Sequence, residues 1–121
     1  MAEGLANHYG SDVLIASSSG LSPMPGVAAE TVAIMSEINI DVSRHVPMLY
    51  EPLAVSHYDL VVNMSGYKLP GKAPRELIEW RIEDPFQRPA EVYLRVREDL
   101  EQRVMQLILK LRKAQKKLVP A

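Results

Sequence analysis

Asp59-Leu60-Val61-Val62-Asn63-Met64 is the clearest strand in the chain: β-branched residues are concentrated in it, and Gly66 supplies a turn directly after it. Upstream, Val13-Leu14-Ile15-Ala16 is a second apolar run, bounded by Gly10-Ser11-Asp12 and by Ser17-Ser18-Ser19-Gly20, and its pattern predicts a strand buried on both faces. Downstream, Leu77 to Ile82 alternates Ile78, Trp80 and Ile82 with Glu79 and Arg81, which predicts a half-buried strand at a sheet edge. Helical patterns separate these runs. Val27, Thr31, Ile34, Met35 and Ile38 share a helical face, and Met1 to Tyr9 reads as a helix stopped by Gly10. From Pro89 to about Lys117 the stripe Val92, Val96, Leu100, Val104, Leu107, Ile108 and Leu111 predicts one long amphipathic helix with Pro89 in its first turn. Met48 to Val55 is expected to form a short helix interrupted near Pro52. Strands alternating with helices imply parallel pairing through right-handed crossovers, so the expected fold class is α/β, an open parallel sheet flanked by helices.

Composition narrows the chemistry. A chain of 121 residues fits a single domain, residues 1–121, with room for a real core. Fourteen basic against fifteen acidic residues leave a net charge of −1, which gives no general footprint for nucleic acid or a membrane surface. With no cysteine, disulfides, thiolate metal sites and thiol catalysis are excluded for these residues. No apolar run reaches the roughly 18 residues of a membrane span, and no signal-peptide pattern opens the chain, so a cytoplasmic protein is expected. His8, His45 and His57 lie in different segments without paired ligand spacing, so neither a metal nor another cofactor is expected. Ser17 to Gly20 lacks the Gly-x-Ser-x-Gly elbow of a serine nucleophile and reads as a strand-end loop. The basic run Lys110, Arg112, Lys113, Lys116 and Lys117 complements the C-terminal dipole of the last helix; attraction of a phosphate or an acidic partner is the alternative reading.

Three sets of segments, in order, resemble the low-molecular-weight protein tyrosine phosphatases and the arsenate reductases that share their fold. Met1-Ala2-Glu3-Gly4-Leu5-Ala6 is similar to the helix start that follows the family's Cys-x5-Arg-Ser phosphate loop. Ser19-Gly20-Leu21-Ser22-Pro23, Ile40 to His45 and Tyr58 to Met64 match the middle of the fold, and Trp80-Arg81-Ile82-Glu83-Asp84-Pro85 with Val96 to Glu101 looks like the Asp-Pro loop and last helix. By this resemblance Asp84 occupies the general-acid position, which protonates the leaving oxygen while a thiolate attacks phosphorus. Read without it, an Asp before Pro85 simply starts a turn. The resemblance also implies a first, central strand and a cysteine loop ahead of Met1 that these residues do not contain, so a truncated domain without catalytic activity is expected. An active phosphatase with that strand and loop omitted, acting on phosphotyrosine once the loop is restored, is the second reading; a non-catalytic protein-interaction module is the third. Ser65 to Gly71 also lacks the resolving cysteines of the reductase branch. Loss of a central strand leaves the flanking strands Val13–Ser17 and Asp59–Met64 open, to be satisfied by pairing with each other or by a second chain; a homodimer or exchange of a strand or helix is expected, with Met1 to Tyr9 and Pro89 to Lys117 crossing or forming the interface.

Overall fold

A computed structural model describes residues 1–118, with side chains described through residue 115. Helix α1 (Ala2–Tyr9) is followed by α2 (Ala29–Ser36), a 3₁₀ turn (Pro52–His57), strand β1 (Val61–Asn63), strand β2 (Leu77–Glu79) and helix α3 (Ala90–Leu118). The strands pair in parallel, Val61 with Leu77, Val62 with Ile78 and Asn63 with Glu79. The expected α/β architecture is therefore present, with its pairing between the two strands predicted around Asp59–Met64 and Leu77–Ile82.

Helix α3 organises the core. Val92, Val96, Leu100, Val104 and Ile108 recur at intervals of four residues and are buried, joined by Leu5 from α1, Met35 from α2 and Ile40 after it. Trp80 and Ile82, just after β2, and Met64, just after β1, pack against the same cluster and carry the sheet onto the helices. This places Trp80 in the packing role that its alternation predicts. Asn63, the buried polar residue of β1, is bonded at both side-chain polar atoms: its amide donates to the Tyr67 carbonyl at 2.7 Å, and its oxygen accepts the Ser65 N–H at 3.0 Å and the Ser65 hydroxyl at 2.7 Å. The chain then reverses through Gly66 at φ 79°, a conformation that glycine adopts without Cβ strain.

Two predicted elements need correction. Val13 to Ala16 forms no strand: a turn occupies residues 11–13, and the following residues join no ladder. Ile15, expected to be buried, is 95% exposed, whereas Val13 and Leu14 pack on the core. The backbone at Ala16 is taken by a side chain instead of a strand. Asn7 on α1 accepts the Ala16 N–H at 2.8 Å and donates to the Ala16 carbonyl at 2.9 Å, making both bonds that a paired strand would make there. Parallel pairing appears further on, as an isolated bridge between Gly20 and Leu49 built from Gly20 N–H to Met48 O and Tyr50 N–H to Gly20 O, both 2.8 Å. The second correction concerns Met48 to Val55. Pro52 initiates a 3₁₀ turn there and interrupts nothing, because proline has no N–H to lose in a first turn.

The junction of α1 with α3 is tight. A Cβ built on Gly10 would lie 2.8 Å from both Cδ1 and Cγ1 of Ile108 and 3.0 Å from the Ala6 carbonyl oxygen. Gly10→Ala is therefore expected to cost about 1–3 kcal/mol through overpacking. In an Ile108→Ala background, where the obstructing atoms are gone, the same change should cost less or stabilise, which denaturant unfolding of the double-mutant cycle measures.

Arg112 locks the same corner. Its guanidinium donates to both Asp12 oxygens, at 2.9 and 3.0 Å, and to the Tyr9 carbonyl at 3.0 Å. These hydrogen bonds hold the Asp12 carboxyl below the usual carboxylate range. Asp41 is lowered likewise by the Ser43 hydroxyl at 2.6 Å and the Ser43 N–H at 2.9 Å. Because both folded-state pKa values lie below the unfolded ones, the unfolded chain binds more protons in acid, and these contributions are present above the ordinary carboxylate pKa and lost as pH falls through the lowered values. Thermal melts should show Asp12→Asn and Asp41→Asn each lowering Tm near neutrality and flattening its fall below about pH 4; parallel pH profiles for wild type and variants would contradict this.

Candidate functional site

The first turn of α1, the Ser17–Gly20 loop and the segment after Ile40 converge on one small recess. It has a volume of about 170 Å³ and is lined by Ser18, Ser19, Gly20, Pro23, His45, Pro47 and Met48. Glu3 reaches it from α1. The Asp41–Ser43 turn leads into a backbone bond from the His45 N–H to the Val42 carbonyl at 3.2 Å, which sets the histidine at the rim. His45 Nδ1 lies 2.9 Å from Glu3 Oε2, and His45 Nε2 lies 3.4 Å from the Ser18 hydroxyl. The same hydroxyl also donates to Glu3 Oε1 at 3.3 Å.

A serine, a histidine and a carboxylate thus meet, although residues 15 and 27 positions apart along the chain contribute them. No local motif announces such a meeting: the serine loop and His45 lie in separate segments of the sequence. The cluster is not built for acyl transfer. Ser18 has one hydroxyl proton, and the carboxylate competes with the imidazole for it; the Gly20 N–H, a candidate oxyanion donor, is committed to the Met48 carbonyl. Nor does the recess suit a phosphate dianion, since no Lys or Arg lines it and the Glu3 carboxylate stands beside its only imidazole. What the cluster does is tie α1 to two loops by polar contacts.

Asp84 is not among the residues lining the recess. It is exposed, and its Oδ1 accepts the Phe86 N–H at 3.0 Å around Pro85, the turn-starting geometry that an Asp-Pro pair favours. Neighbouring Glu83 is the local ionic anchor, receiving Arg95 Nη2 at 2.8 Å on one oxygen and 3.0 Å on the other. The histidines are dispersed: His8 and His57 are exposed, and His45 is bonded locally to Glu3. Among the described residues, no cluster of three His, Cys, Asp or Glu side chains has metal-binding proximity, and no helix is long and apolar enough to cross a membrane. Lys110 and Lys113 of the basic run are exposed on α3, Arg112 is held by Asp12, and the Lys116 and Lys117 side chains lie outside those described.

Relatives share this architecture across nearly the whole chain. A glutaredoxin arsenate reductase from Synechocystis sp. is 32% identical over 115 residues, covering 92% of this chain and 87% of that protein. An arsenate reductase solved in its reduced state superimposes with a TM-score of 0.79 at 31% identity, covering 90% of this chain and 86% of the other. A low molecular weight protein tyrosine phosphatase from T. tengcongensis superimposes with a TM-score of 0.75 at 27% identity, covering 90% and 88%. The family model described as low molecular weight phosphotyrosine protein phosphatase matches residues 1–117, and the chain belongs to that family.

Proposed function

We propose that these 121 residues form a phosphotyrosine-phosphatase-type domain with no phosphate-ester or arsenate turnover of its own. The observation that carries this reading is a family match over residues 1–117 in a sequence without a cysteine. Thiolate attack on phosphorus needs a thiol, and reductase chemistry on arsenate needs thiols that are oxidised in turn. The recess offers no replacement, because its serine shares a proton with Glu3 and its lining carries no fixed cation. Asp84, by its family position the general acid, has nothing to work with while no nucleophile attacks. Purified chain is expected to hydrolyse a generic aryl phosphate no faster than buffer, with no difference on Asp84→Asn. Turnover that falls when Asp84 is replaced would overturn the proposal.

The exposed Asp84 carboxylate favours one alternative, an active phosphatase completed by a Cys-x5-Arg loop supplied from outside these residues. In that case, placing such a loop ahead of residue 1 yields hydrolysis that drops by about 10²–10⁴-fold on Asp84→Asn, the range for loss of a general acid.

A further inference from the structure

Helix α3 carries a second seam opposite its buried stripe. Glu98, Gln102, Met105, Leu109 and Lys113 follow one another at spacings of four, three, four and four residues, which keeps them along one side of the helix; Met105 is half-buried there, with part of its side chain packed on the core, and the other four are exposed. Glu98, Glu101, Gln102, Met105, Gln106 and Leu109 form an open surface strip along it. Every lining residue belongs to α3. Leu109, the fourth residue of this seam, is 56% exposed. Among the described residues, no ion pair engages Glu98 at one end or Lys113 at the other, whereas Arg95, Arg97, Arg103 and Arg112 of the same helix are all paired within the chain.

We propose that this seam binds a second copy of the chain, with the two α3 helices antiparallel and crossing near Met105. The charge order along the helix selects this arrangement. With Met105 opposite the partner's Gln106, Gln102 falls opposite the partner's Leu109 and Glu98 opposite the partner's Lys113. Two-fold symmetry then makes each of these contacts twice, as an isologous interface requires. A parallel pair would set Glu98 against the partner's Glu98 and Lys113 against the partner's Lys113, so like charges disfavour it. The contact spans about 24 Å of helix, from the 1.5 Å rise over residues 98–113. A two-helix contact of that length lies at the small end of specific interfaces, so association is weak, in the micromolar range. Its ionic contacts are exposed, so added salt weakens it.

The test is sedimentation of the full chain from about 1 to 200 µM, with Glu98→Lys and Lys113→Glu variants. Both substitutions are on exposed positions and should leave the melting curve near wild type. Wild type is expected to dimerise with rising concentration. Each single variant should associate at least about tenfold more weakly, because both symmetric contacts become repulsive. An equimolar mixture of the two variants should regain association, since a mixed dimer again sets opposite charges against each other at both contacts. A monomer throughout the range, a dimer that neither substitution weakens, or a mixture that stays dissociated would each overturn the proposal; the second outcome would move the interface to another surface, such as the open edge of β1.

Discussion

Leu5→Ala is expected to destabilise the chain by about 2–5 kcal/mol, the range for removing a large aliphatic side chain from a closed core. Leu5 is fully buried and is the one buried residue within α1, where it meets the α3 stripe. The eight-residue helix has no side-chain N-cap and is too short to persist in isolation, so its order depends on that packing. Since domains of this size are stable by only about 5–15 kcal/mol, such a loss consumes a large fraction of the total. Urea unfolding should show a lowered midpoint, and circular dichroism should show a fall in helicity in the same transition. A midpoint shift corresponding to less than about 1 kcal/mol would mean that the site collapses around the smaller side chain.

Arg97→Met should cost about 1–3 kcal/mol for a different reason, loss of the hydrogen bonds that close the end of α2. Arg97 on α3 donates from one guanidinium nitrogen to the Ile34 carbonyl at 2.7 Å and to Glu37 Oε2 at 2.9 Å. The helical donor expected for Ile34, the Ile38 N–H, bonds the Met35 carbonyl instead, which leaves Ile34 open to the arginine. Arg97 is 12% exposed but Glu37 is 61% exposed, so the carbonyl bond outweighs the ion pair. Glu37→Gln should therefore cost under about 1 kcal/mol. Arg97→Lys should recover only part of the loss, because one ammonium does not reproduce the planar geometry. Equal costs for Arg97→Met and Glu37→Gln in denaturant unfolding would show that the pair acts only through charge.

The long helix was legible because its signal is redundant: buried positions recur every four residues from Val92 to Ile108, and few alternatives produce that period. The strands were legible as apolar runs but not in extent, since β1 keeps three residues of the six in Asp59–Met64. Val13 to Ala16 shows why. A short apolar run fixes burial preference, not pairing, and at Ala16 the backbone groups go to the Asn7 side chain, nine positions earlier. The recess was illegible for a related reason. Glu3, Ser18 and His45 come from three separate segments that meet only in the folded chain. Asp84 was legible as a turn-starter, and the bond from the Phe86 N–H to its carboxylate around Pro85 expresses that reading.

The contacts at the end of α1 also decide which parts of the molecule open together. Tyr9 O and Asp12 are held by Arg112, Gly10 is pressed against Ile108, and Ala16 hangs from Asn7, so the serine loop, the last turn of α1 and the second half of α3 share their restraints. Fraying of α1 would release Ala16, and release of Arg112 would free the end of α1. These segments therefore constitute one cooperative opening unit, and in native-state hydrogen exchange the Ala16 amide should report the opening free energy of a helix to which it does not belong.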